Sequence, residues 1–154
     1  MNTLSTDRPL VELLQELVIT ETRLAIATRE AHWNVTGPSF YSLHEMFGAQ
    51  YTQIDGFVDD LAERVRQLGY TVSGSPMTGA SEPVPHADTL LNQLVDKQVR
   101  VELLLKRTIQ AAQAHQDEAS ADMCTGMLEA HFKMMWMLRS SIAETQPALI
   151  NIQA

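Results

Sequence analysis

Apolar residues along this chain recur at intervals of three and four over long stretches, the period of a helix that buries one face. Leu10, Leu14, Leu17, Val18 and Ala25 carry the first run, preceded by the capping types Thr6 and Asp7, and Pro9 suits a first turn. The spacing predicts a helix over 8–34. Thr36, Gly37, Pro38 and Ser39 interrupt the pattern, and Ser39 is placed to cap a second helix. That helix carries Phe40, Leu43, Phe47, Tyr51, Ile54, Val58, Leu61, Val65 and Leu68 up to a stop at Gly69. A third run, Leu91, Leu94, Val95, Val99, Leu103 and Ile109, follows Asp88 as its expected cap and extends to about 114. After a polar turn at 115–119, a fourth helix starts near Asp117. It carries Met123, Met127, Leu128, Met134, Met135, Leu138 and Ile142 to about 144. There is no strand pattern and no internal repeat.

Between the second and third runs, residues 71–87 are rich in Gly, Pro and Ser and exceed the usual connection between neighbouring antiparallel helices. A stretch of that length can cross the bundle. The pattern therefore predicts an all-α fold, the ferritin-like variant of the four-helix bundle, with one long crossover. One domain over 1–154 is expected, with short tails at 1–7 and 146–154.

Composition narrows the function. The 11 Lys and Arg against 19 Asp and Glu leave a formal charge of −8, so the surface repels nucleic acid on average. A lone Cys124 excludes an internal disulfide framework and a cysteine-based zinc site. No window has the roughly 18 uninterrupted apolar residues of a membrane span, and the N-terminus lacks signal-peptide character. A cytoplasmic protein is expected.

Metal chemistry is the sharpest expectation. Ferritin-like di-iron bundles use Glu-x-x-His pairs, and this chain has none. On the second helix, however, His44, Asp55, Asp59 and Glu63 form a polar sector roughly 120° from the centre of the apolar face. A solvated flank is the plain reading of such a sector. His44 and Glu63 lie on the order of 28 Å apart along one helix, too far to share an ion. Two copies of the helix crossing antiparallel about a two-fold axis between Gln53 and Ile54 would bring His44 opposite Glu63, and position 48 opposite Asp59. His32, on the stripe Leu14, Val18, Ala25, Thr28, His32, could add a second imidazole. Nitrogen plus carboxylate ligands suit ferrous iron, with zinc as a competing ion.

Residues 31–69 carry the elements Ala-His-Trp-Asn, His-Glu-Met and Asp-x-x-Ala-Glu-Arg, and 131–140 read HFKMMWMLRS. In these runs the chain resembles the mini-ferritins, or Dps family of starvation-induced DNA-binding proteins. The resemblance implies a hollow dodecamer with ferroxidase sites shared across two-fold interfaces. These sites oxidise Fe(II), usually with hydrogen peroxide and otherwise with oxygen, and Fe(III) mineral is stored inside. By position, His32 and His44 from one chain and Asp59 and Glu63 from its partner match the ligands. One match fails: the family's Asp four residues after the His of His-Glu-Met is Gly48 here. Asp117 and Asp122, near the start of the fourth helix, fall where the family lines a three-fold pore. Charge favourable to the positive helix end is the plain reading of both.

Other residues divide between packing and chemistry. His131, on the stripe Cys124, Met127, His131, Met134, Leu138, reads as a hydrogen-bonded core residue or an accessory ligand. The eight Met read as core filler, Trp33 and Trp136 as core or interface packing, and Glu45 as a solvated residue rather than a mineral-nucleation site. The alternative function is a shell with impaired ferroxidase, because of Gly48, acting as a structural, DNA-protecting or zinc-binding particle. Direct DNA binding is disfavoured: residues 1–8 contain a single base, Arg8, and 145–154 none.

Overall fold

The computed structural model describes residues 8–72 and 86–142, so Thr6, Asp7, both tails and most of the crossover lie outside the described residues. Four helices run in order: α1 (Arg8–Asn34), α2 (Phe40–Gln67), α3 (Ala87–Ala114) and α4 (Glu118–Ser141). No strand occurs among the described residues.

The topology follows from two contacts at opposite poles. Arg64, near the end of α2, donates from Nε to Ser120 Oγ at 2.8 Å and pairs with Asp117, both at the start of α4. At the other pole Ser141, ending α4, meets Met46 near the start of α2 at 3.9 Å. Because α4 begins where α3 ends, α2 and α3 finish at the same pole and run parallel. Each spans about 42 Å at 1.5 Å per residue, so the chain leaves α2 at one pole and enters α3 at the other. The residues from Leu68 to His86 reach about 60 Å when extended, enough for that passage. The expected long crossover is thus required by the helix directions, and the fold is an all-α four-helix bundle.

The core is built from Leu14, Leu17, Phe47, Ile54, Leu61, Leu91, Leu105 and Leu138, all fully buried. Met127, Met134 and Met135 join them as filler. Two periodic positions are exposed instead. Leu103 is 58% exposed because it falls about 200° from Val101 on the seam that α3 buries through Leu91, Leu94, Val101 and Leu105. Phe40, at the first position of α2, is 44% exposed, with its ring stacked on His44. Trp33 and Trp136 are 66% and 65% exposed, so neither packs in the core of its own chain.

The helix ends correct three further expectations. Ser39 occupies the N-cap position of α2, but its side chain caps nothing; the turn is closed by Phe40 N–H to Gly37 O at 3.0 Å. That bond needs Gly37 at φ +96°, where a Cβ would be strained. Asp88 lies inside the first turn of α3, and the N-cap position is His86. Helix α4 stops at Ser141, with Ile142 already extended at ψ 129°. Gly69, by contrast, ends α2 as expected. At φ +88° it lets its own N–H reach Arg66 O and that of Tyr70 reach Val65 O, the paired bonds of a Schellman turn.

The α3–α4 connection uses the same turn without glycine. Gln116 takes φ +57°, its N–H bonds to Gln113 O, and Asp117 N–H bonds to Ala112 O. Asp117 then caps α4 through Ser120 N–H at 3.0 Å and accepts from Ser120 Oγ at 2.7 Å. Burial alone would raise the Asp117 carboxyl. The Ser120 hydrogen bonds and the Arg64 charge outweigh burial and hold it below the usual carboxylate value. A depressed folded value contributes stability above the unfolded value of about 3.9, and that contribution is lost as pH falls through the folded one. Asp117→Ala is therefore expected to cost about 2 kcal/mol at pH 7. In urea denaturation the gap from the parent should narrow as pH drops below about 4. A pH-independent gap would remove the carboxylate from this account. Gln116→Gly should act in the opposite direction, raising the urea midpoint by the equivalent of up to about 1 kcal/mol.

Candidate functional site

The tight α1–α2 turn sets His32, in the last turn of α1, against His44, in the second turn of α2. His32 Nδ1 donates to the main-chain carbonyl of His44 at 2.7 Å, and His44 Nδ1 donates to that of His32 at 2.8 Å. A carbonyl only accepts, so in each neutral ring the proton sits on Nδ1 and Nε2 carries a free lone pair. The rings stack at 3.6 Å between centroids, 21° from parallel. Phe40 extends the stack on the His44 side, 5.1 Å away, and Tyr51 meets His32 edge-on at 5.4 Å. Arg29 lies over the Tyr51 ring at 4.7 Å and pairs with Asp55. The two imidazoles are half-buried and held from both sides, with their backbone bonds made and their Nε2 atoms available.

This geometry sorts the sequence candidates. His32 and His44 are together. Asp59 and Glu63 are exposed one turn apart further along α2, on the same face of the helix. Asp55, of the same polar sector, is engaged by Arg29. Among the described residues no single chain gathers three or more His, Cys, Asp or Glu side chains around one point. Each chain therefore presents an imidazole pair and a carboxylate pair at separate places. Asp117 is held by Arg64 and Ser120, while Asp122 and Glu45 are exposed.

Gly48 packs directly against the His32 ring. A Cβ added there would lie 3.3 Å from His32 Cε1 and 3.4 Å from His32 Nδ1. The glycine thus admits the His32 ring as closely as it stands, one turn after His44.

Of the buried polar residues with no place in the sequence pattern, two meet at the bundle centre. Glu21 and Gln98 are fully buried, and both meet His131 at the bundle centre. Their signal was present as polar residues within otherwise apolar seams: Leu14, Val18, Glu21, Ala25 on α1 and Leu91, Leu94, Gln98, Val101, Leu105 on α3. Cys124 is also fully buried. Desolvation first, then the negative charges of Asp117 and Glu21, push its thiol up to about 12, so it is not a reactive thiolate.

The family model of the ferritin-like domain matches residues 11–147. An uncharacterised low temperature-induced protein of Nostoc sp. is 34% identical over 89% of this chain and 81% of its own length. The DNA protection during starvation protein of Agrobacterium fabrum is 30% identical over 87% and 88%. The crystal structure of a Dps protein from Bacillus brevis superposes with a TM-score of 0.80 at 29% identity, covering 90% of this chain and 97% of that one. With a ferritin-like match over nearly its whole length and a four-helix bundle shared with Dps proteins, this chain belongs to the Dps family.

Proposed function

We propose that the protein is a mini-ferritin that binds and oxidises Fe(II) at sites formed between two chains and stores the Fe(III) product inside a hollow dodecamer. The observation that carries this reading is the imidazole pair: two Nε2 lone pairs, one from α1 and one from α2, fixed by reciprocal main-chain bonds beside the helix that displays Asp59 and Glu63. Imidazole and carboxylate oxygen together suit a borderline divalent cation, Fe(II) as substrate and Zn(II) as competitor. An antiparallel crossing of two α2 helices would set His44 opposite the partner's carboxylates, and a closed two-fold contact makes two such sites at once. With peroxide, two Fe(II) each give up one electron, the O–O bond breaks, and two protons complete two waters. Consuming both reagents of hydroxyl-radical chemistry is how such a shell would protect DNA, as the Agrobacterium relative's name describes for that protein. The chain's charge of −8 favours cation traffic over contact with phosphate, with exposed Asp122 a candidate pore residue and Asp117 set back in its pair with Arg64. We place the particle in the cytoplasm; no described helix is long and apolar enough to cross a membrane.

Gly48 favours the second reading, a shell with slowed iron oxidation that binds zinc instead. At this position the chain offers space for His32 rather than a carboxylate.

Stopped-flow oxidation of Fe(II) by peroxide should slow at least tenfold in His44→Ala and in Glu63→Ala. Shells co-refolded from equal amounts of the two variants should recover about a quarter of the parent activity. Random pairing leaves one intact site in each mixed dimer. No recovery would sink the shared site, and an unchanged rate in His44→Ala would sink the catalytic reading.

Substitution at Gly48 separates space from charge. Gly48→Ala should weaken metal binding a few-fold by pressing on His32, whereas Gly48→Asp should bind at least tenfold more tightly than Gly48→Ala. Equal affinities for the two variants, measured by Zn(II) titration, would show that a carboxylate at 48 reaches no ion.

A further inference from the structure

At the centre of the bundle, away from the α2 face, Glu21 of α1, Gln98 of α3 and His131 of α4 meet, all at 0% exposure. His131 Nδ1 lies 2.6 Å from Gln98 Oε1. That contact puts the ring proton on Nδ1 and leaves the Nε2 lone pair directed away from the amide. Nε2 stands 2.8 Å from Glu21 Oε1, but the alignment is not that of a hydrogen bond. His131 Nε2 and both Glu21 oxygens are left without hydrogen-bond partners. The Phe57 ring is 5.4 Å from the His131 ring, and Gln98 Nε2 turns to the Met134 sulfur at 3.7 Å rather than to the carboxylate.

A fully buried carboxylate facing an imidazole lone pair is costly unless a cation lies between or beside them. We propose that Glu21 and His131 hold a divalent first-row transition ion inside each chain, with Gln98 positioning the imidazole. The protein donors are the Glu21 carboxylate and His131 Nε2, whose recorded approach is Oε1 to Nε2 at 2.8 Å. Two donors at right angles around an ion 2.1 Å from each lie about 3.0 Å apart, close to the contact seen here. An imidazole whose other nitrogen is fixed by a carbonyl is the usual form of a metal-ligating histidine. This site lies within one chain, so it stands whether or not the shared α2 site exists.

The test uses the assembled protein carrying His32→Ala and His44→Ala, which removes the imidazoles of the α2 face. Because the centre is sealed, the protein is incubated for hours with Zn(II) and then dialysed against a weak chelator. One zinc per chain should be retained, and Glu21→Gln, which preserves shape, should lower that affinity at least tenfold. Zinc anomalous scattering from crystals of the unsubstituted chain, soaked in the same way, should peak between Glu21 and His131. The peak requires no core variant to fold. No retained zinc, retention unchanged by Glu21→Gln, or an empty anomalous map at the bundle centre would each overturn the proposal; a proton shared by Glu21 and His131 would produce the last of these.

Discussion

Each of two histidines gives its ring proton to the other's main chain, and the candidate chemistry of the α2 face depends on that exchange. His32 and His44 belong to different helices, and the bonds form only because the Gly37 turn returns the chain tightly enough to bring the two side by side. Once made, they choose the tautomer, orient the rings and join the last turn of α1 to the second turn of α2. The aromatic residues on either side limit ring rotation. The imidazoles are thus pre-organised in the single chain, whereas the carboxylates that would complete an ion's coordination stand further along α2. Helical rise forbids one helix from closing that distance.

The same rise made much of the fold legible in the sequence. Helix lengths and the long crossover both follow from counting residues. What counting misses is which polar side chain takes the helix end. Ser39 and Asp88 are capping types at plausible positions, yet glycine geometry closes one start and His86 occupies the other. The decisive polar contact at α4, Arg64 with Asp117, joins residues 53 positions apart and has no local signature. Glu21 and Gln98 were legible in principle, since each breaks an apolar seam, but their meeting at His131 is a fact of packing across three helices.

The bundle therefore carries two polar centres of different character. The α2 face is half-exposed, built by reciprocal hydrogen bonds, and incomplete within one chain. The Glu21–His131 centre is fully buried, lies within one chain, and leaves His131 Nε2 and both Glu21 oxygens without hydrogen-bond partners.

Asp117 closes α3 and opens α4 with no residue to spare between the two roles. Helical phase makes that economy consequential. Inserting or deleting one residue in the connection would turn α4 by about 100° relative to α3 and carry His131 away from both Glu21 and Gln98. Loop length is ordinarily among the most freely varied features of a helical bundle. Here it acts as the phase lock of the interior, and descendants of this sequence can change the identity of the connecting residues far more readily than their number.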